Sequence, residues 1–221
     1  MKINQLMSFE SAKNWIDVSI AVKEGMTQEP GNPPFRINKF EGPDLGIDYD
    51  VAEIRMSTHA ATHVAAPLFA FETGHDVSEI PLDVLIGPVK IFSILDDEQI
   101  SLHEIKEFPL EENDRVFFKT KNSESEWWNM EYFDKYIFLA SDAAAFLQSK
   151  KIRCVGIDYL SVSGKINGDK VHQLLLGNGI CIIEGLNLKD IEPGTYEMVC
   201  LPLKIKGSGS APARVIIRRM S

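Results

Sequence analysis

Residues 57–71, STHAATHVAAPLFAF, constrain this chain more than any other stretch. Thr58, Thr62, Val64 and Pro67 oppose a long helix, so the segment must be a strand end or a short first turn. It carries His59 and His63 four residues apart among small side chains. Two imidazoles at this spacing can share a metal ion or work as an acid and base pair. On a helix they would be an ordinary surface pair sharing one face. Whatever the fold, a strand must run into this segment, and residues 49–56 supply one by their alternation.

The rest of the chain reads as alternating strands and short helices. Strands are expected over residues 15–22, 88–94, 115–120, 153–158 and 179–183. Between them, residues 24–35 are dense in Pro and Gly and form a stiff, irregular loop. Helices are expected at residues 101–108, with Ser101 as N-cap, and at residues 141–149, capped by Ser141 or Asp142. His172 opens a Leu-rich helical turn that Gly177 and Gly179 end. Glu184 closes an apolar strand directly before Gly185, and a carboxylate there needs a cation, a pocket or solvent. Trp127 and Trp128 lie in a polar insertion, either anchoring a loop or covering a pocket. His75 and His103 read as surface residues.

Composition restricts the class of protein. The 221 residues suit one domain over 1–221 with a sizeable core. A net charge of −9 argues against nucleic-acid or anionic-membrane binding, and the tail cluster Arg214, Arg218 and Arg219 reads as a solvated end. Cys154, Cys181 and Cys200 form neither a disulfide framework nor a zinc motif, and the first two sit in apolar runs as core residues. The opening residues lack an apolar signal core, and no apolar run is long enough to span a bilayer. A cytoplasmic location is the expectation.

The 57–71 stretch also resembles the signature of the cyclase family, the group that includes bacterial kynurenine formamidase and isatin hydrolase. That signature reads His-x-Gly-Thr-His-x-Asp-x-Pro-x-His. His59, Thr62, His63 and Pro67 match in register. Ala61 stands for the glycine, Ala65 for the metal-bridging aspartate and Phe69 for the proton-transferring histidine. His172 and Glu184 match the later ligands, and the EGLNL run at 184–188 is family-like. Where the family carries an aromatic-Pro-Gly run that packs on substrate, this chain has Glu29, Pro30 and Gly31. Gly207, Ser208, Gly209 and Ser210 replace a turn that bears another acid.

The resemblance implies an α/β fold: one domain with a central mixed, barrel-like β-sheet and flanking helices. It also implies a homo-oligomer, a dimer or tetramer, that acts on a small-molecule substrate. His59, His63, His172 and Glu184 are the catalytic candidates, with Glu29 and Phe69 as substrate-binding positions. Without the aspartate, His172 and Glu184 alone are too few for a second ion. At most one divalent ion, zinc or manganese, remains possible through His59, His63 and Glu184. No cofactor is the favoured expectation, with a His–Glu pair orienting an imidazole toward water. The expected activity is hydrolysis of a cyclic ester or amide, a lactone or lactam, in a specialised pathway. Alternatives are a single-metal amidohydrolase, a lyase or cyclisation enzyme, and a non-catalytic binder.

Overall fold

The computed structural model describes residues 14–40, 51–132, 134–165 and 168–220. In chain order the strands are β1 (Ile16–Asp17), β2 (Arg36–Phe40), β3 (Val51–Arg55), β4 (His63–Ala65), β5 (Ile86–Ser93) and β6 (Gln99–Ile100). They continue as β7 (Arg115–Lys119), β8 (Phe138–Leu139), β9 (Cys154–Ile157), β10 (Cys181–Glu184), β11 (Gly194–Pro202) and β12 (Ser210–Arg219). The helices are α1 (Leu82–Leu85), α2 (Leu102–Ile105), α3 (Ser141–Ser149) and α4 (Gly168–Gly177).

Seven strands close a mixed barrel in the order β4, β12, β11, β5, β7, β9, β10 and back to β4. Strands β5, β7, β9 and β10 run parallel to their neighbours in that row, and the remaining barrel contacts are antiparallel. The three-residue β4 completes the ring, with Glu184 opposite His63 on one side and Pro212 opposite it on the other. The free length of the same β12 edge takes β1. Strands β2 and β3 pair only with each other.

Side-chain alternation sorts the barrel into two faces. Val89, Ile91, Phe117, Cys154, Ile183, Met198, Cys200, Val215 and Val64 pack into one cluster drawn from all seven strands, which fills the barrel interior. Their neighbours Val116, Phe118, Val155, Ile182 and Ala65 pack outward against Ala143, Ala144 and Leu147 of α3 and Val171 and Leu175 of α4. Strands β9 and β10 are buried on both faces, which accounts for their uninterrupted apolar sequences. By parity His63 and Glu184 belong to the outer face, beneath α4. Arg115 closes one end of the interior by donating to the carbonyls of Asp83, Val84, Ile86 and Pro88. All three cysteines are free and buried.

Several expectations need correction. The strand expected over 15–22 shrinks to Ile16–Asp17; just beyond it Val18 N still donates to the Val215 carbonyl, and the Ser19 hydroxyl bonds to both backbone groups of Val215. Tyr49 and Asp50 lie outside the described residues, as does most of the opening stretch examined for a signal segment. Ser101 and Ala140 occupy the N-cap positions of α2 and α3, and neither helix is capped by a side chain. The tail arginines are exposed, as expected, and make surface contacts there: Arg214 with Asp17, Arg218 with Glu197 and the Trp15 ring, and Arg219 over Tyr196. No helix among the described residues is long and apolar enough to cross a membrane.

Trp127 is an anchor. It is fully buried, donates from Nε1 to the Asp158 carbonyl at 2.8 Å and packs on Tyr159. The Asp158 carboxylate, also wholly buried, accepts from Thr120 N and Oγ1 at 2.8 Å each and from Ser123 N at 3.2 Å. Burial pushes its carboxyl up from 3.8 to about 6, against the pull of those donors. A raised carboxyl pKa adds stability that is complete below the unfolded value and lost as pH rises through the folded one. Asp158→Asn keeps an oxygen for the Thr120 and Ser123 N–H groups but turns an NH2 toward the Thr120 hydroxyl, which must reverse, and should cost about 1–2 kcal/mol near neutral pH. Its stability gap from the parent should be wider near pH 4 than at pH 7, as denaturant titrations at both values would show.

Candidate active site

The site forms where the end of β10 meets the start of β4. Before β4 the chain must reverse sharply, and it does so at Ala61, whose φ of +54° lies in the left-handed region. Across from it Gly185 has a φ of +72°, and a Cβ there would stand 2.3 Å from the Ala61 carbonyl oxygen. Thr62 ties the two together, accepting from Ile20 N at 2.8 Å and donating to the Gly185 carbonyl. This close approach sets His63 against Glu184.

His63 Nδ1 lies 3.0 Å from the Ala61 carbonyl oxygen, so Nδ1 carries the proton and donates. Its Nε2 then presents a lone pair 2.9 Å from Glu184 Oε2, with both side chains almost wholly buried. The separation is that of an ion pair, yet Nε2 is not aligned for a hydrogen bond and has no partner. Two electron-rich atoms at this distance require a positive charge, either a second ring proton or a cation.

The other carboxylate oxygen is saturated. Glu184 Oε1 accepts from Val162 N at 2.6 Å and lies 3.1 Å from His172 Nε2. His172 Nδ1 in turn lies 3.0 Å from Ser163 Oγ. Both nitrogens of His172 are therefore engaged, and Glu184 and His172 form a hydrogen-bonded pair. Burial would raise the Glu184 carboxyl, but His172 and His63 overcome it and hold it well below the usual carboxylate range. The same pairing, against the effect of burial, raises the pKa of His172. For His59 burial dominates, aided by its neighbours His63 and His172 and opposed by Glu184, and brings it down to about 4. His59 is thus neutral at physiological pH. Its Nε2 meets Ser210 Oγ at 2.9 Å, and Ser210 Oγ reaches Thr58 Oγ1 at 2.7 Å.

Phe69 stands between the imidazoles, its ring 4.8 Å from that of His59 and 5.0 Å from that of His172. A cavity of about 300 Å³ opens onto this group, with Glu29, His59, Phe69, Tyr136, His172 and Glu184 in its walls. All six sequence-derived site positions are thus brought together, with His63 set behind the wall. Ala65, the aspartate position of the signature, is embedded in apolar core beside Ile182. His75 and His103 lie apart from the site at the surface. Sequence reasoning missed Ser163 and Thr58, and it noted Ser210 only as a turn residue. Common hydroxyls carry no spacing signal. Ser163 could have been suspected only from its place in the loop between β9 and α4.

The donor set fits a metal ion. One ring nitrogen each from His59 and His63 and one Glu184 oxygen lie within 4.8 Å of one another. Two neutral histidines and a carboxylate with room for a further ligand are the protein share of many catalytic zinc sites. A cation between His63 Nε2 and Glu184 Oε2, or a second proton on the ring, would supply the charge that these two atoms lack.

Comparison with known proteins agrees with this geometry. The Cyclase family model, described as "Putative cyclase", matches residues 16–163. Kynurenine formamidase of Bacillus cytotoxicus is 30% identical over 209 residues, 94% of this chain and 98% of the relative. A solved structure described as a potential metal-dependent hydrolase with cyclase activity superposes with a TM-score of 0.83 at 36% identity, over 94% of this chain and 98% of the other. Isatin hydrolase A from Labrenzia aggregata shares the fold, with a TM-score of 0.80 at 23% identity and 94% of each chain covered. By the family match and by its likeness to these relatives along nearly its whole length, the chain belongs to the cyclase family.

Proposed function

We propose that this protein is a hydrolase of a carbon–nitrogen amide bond in a small molecule, using one divalent ion held by His59, His63 and Glu184. The observation that carries the single-ion form is the buried, unpartnered His63 Nε2 facing Glu184 Oε2. The hydrolase assignment rests on the family and on relatives named for amide-bond hydrolysis. A cavity of about 300 Å³ is at the small end of ligand pockets and suits a molecule of one or two rings. Within the amide class, a cyclic or otherwise activated bond is favoured, because Phe69 stands where a proton-transferring histidine would be expected.

A bound ion would supply Lewis acidity toward the amide carbonyl and acidify attacking water. The chain's own residues set the rest. Glu184 is fixed at Oε1 by the Val162 N–H and His172, which leaves Oε2 directed at His63. The Ala61 carbonyl holds the His63 tautomer, so Nε2 stays a lone-pair donor. His172 carries the proton nearest the cavity, between Glu184 and Ser163. Ser163 borders the cavity and can relay that proton between Nδ1 and a leaving amine. Phe69 offers a ring face to a planar substrate and excludes water from the imidazoles.

Elemental mass spectrometry of protein purified without chelator tests the ion. About one zinc or manganese per chain is expected, falling below a tenth in His63→Ala. Full turnover of an activated lactam by chelated, metal-free protein would overturn the single-ion form and favour the bare His–Glu site.

A further inference from the structure

At the inner end of the cavity the Glu184 charge is offset by His172 and, in the single-ion form, by the ion. The mouth is charged differently. Glu29, Lys165 and Asp169 form the charged part of the rim. Lys165 Nζ lies 2.6 Å from Asp134 Oδ1 and over the Tyr132 ring, so its charge is already matched. Among the described residues the Glu29 carboxylate accepts only the Tyr132 hydroxyl, at 3.1 Å. Neither Glu29 nor Asp169 pairs with a basic side chain among the described residues. The Glu29 field also reaches inward: burial first, and then the Glu29 charge, push the Tyr136 hydroxyl up to about 12. Around the mouth lies a protein of net charge −9, which concentrates cations at its surface.

The geometry points to a substrate that carries a positive charge, an alkylammonium or amidinium, on the end remote from the scissile bond. With its amide at the His59, His63 and Glu184 end, such a molecule places its cation at the rim that bears Glu29 and Asp169. An anionic substituent there would meet two unmatched acids, and a neutral one would leave both unpaired. This inference rests on the amide-hydrolase reading and specifies the substrate class of the same site. Because the carboxylates are partly exposed, salt must weaken the preference over a Debye length of about 10 Å at 0.1 M.

The test uses the protein as purified and three activated lactams of one skeleton: isatin, its 5-aminomethyl derivative and its 5-sulfonate. At low ionic strength kcat/KM should rank cation over neutral over anion, with at least a tenfold span. The span should shrink severalfold at 0.5 M sodium chloride, and Glu29→Gln should lower the cation-to-neutral ratio about fivefold. A ratio at or below one, or one unmoved by both salt and Glu29→Gln, overturns the inference while leaving the hydrolase reading intact. Absence of turnover on all three counts against the hydrolase reading alone. Binding then decides the inference: calorimetric titration should show benzylammonium bound at least tenfold tighter than benzenesulfonate, and equal or reversed affinities would overturn it.

Discussion

Glu184→Gln should lower kcat/KM on an activated amide by about a thousandfold or more, a loss of roughly 4 kcal/mol of transition-state stabilisation. The carboxylate performs three tasks. Oε1 accepts from Val162 N and pairs with His172, Oε2 faces His63 Nε2, and the negative charge holds the surrounding positive charge. Glutamine keeps the volume and one acceptor. It removes the charge and must turn an NH2 toward one of the other groups. If that NH2 faces His63 Nε2, it satisfies the orphaned lone pair and blocks the ion. Folding should therefore survive with a loss of about 1–3 kcal/mol, whereas Glu184→Ala, which strands two imidazoles, should cost about 3–5 kcal/mol. Steady-state kinetics, metal analysis and thermal melts on both variants separate the effects. A glutamine variant within tenfold of the parent would remove Glu184 from the chemistry.

Gly185→Ala should be the most damaging single methyl group in the molecule. At φ +72° any side chain is strained, at a cost of about 1–2 kcal/mol. The new Cβ would also lie 2.3 Å from the Ala61 carbonyl oxygen and 2.9 Å from its carbon. Neither partner is a flexible side chain that could swing away. Ala61 is itself left-handed and its carbonyl fixes His63, so relief by moving Ala61 displaces the imidazole. A total loss of about 3–5 kcal/mol is expected, on the scale of severe core substitutions. Soluble protein, if recovered, should have lost more activity than its reduced folded fraction explains. Urea titration alongside kinetics at low temperature would show this. Near-parental stability would mean that β4 and β10 are not held as closely as described.

The parts of this fold legible in sequence were those governed by periodicity. The apolar runs now forming β5, β7, β9 and β10, and helix α3, fell within a residue or two of their positions because burial on one or both faces leaves a repeating pattern. The site was legible where rare residue types cluster: three of the five histidines converge, and Glu184 stood out as an acid ending an apolar strand. The hydroxyls of Thr58, Ser163 and Ser210 were not legible, because their roles come from tertiary approach. Asp158 likewise showed only as an acid after a strand, and its grip on Thr120 and Ser123 depends on a loop that returns through space. The proposed single-ion reading rests on one nitrogen's tautomer, that of His63. That tautomer is set by the Ala61 carbonyl, which no composition or spacing encodes.

Strand β4 is three residues long, and it both carries His63 and closes the barrel between β10 and β12. Its partners are remote along the chain: the Thr62 bond to Gly185 spans 123 residues and the His59 contact with Ser210 spans 151. Loop-closure entropy makes such pairings costly to form and late to arrive during folding. His59 and His63 therefore meet Glu184 and Ser210 only when the ring is complete, whereas the pairing of Glu184 with His172 and Ser163 is local in sequence. Any ion or substrate that bridges His63 and Glu184 acts as a clasp on the barrel seam. Its binding energy is felt by the whole fold as global stability, not merely by the loop that touches it.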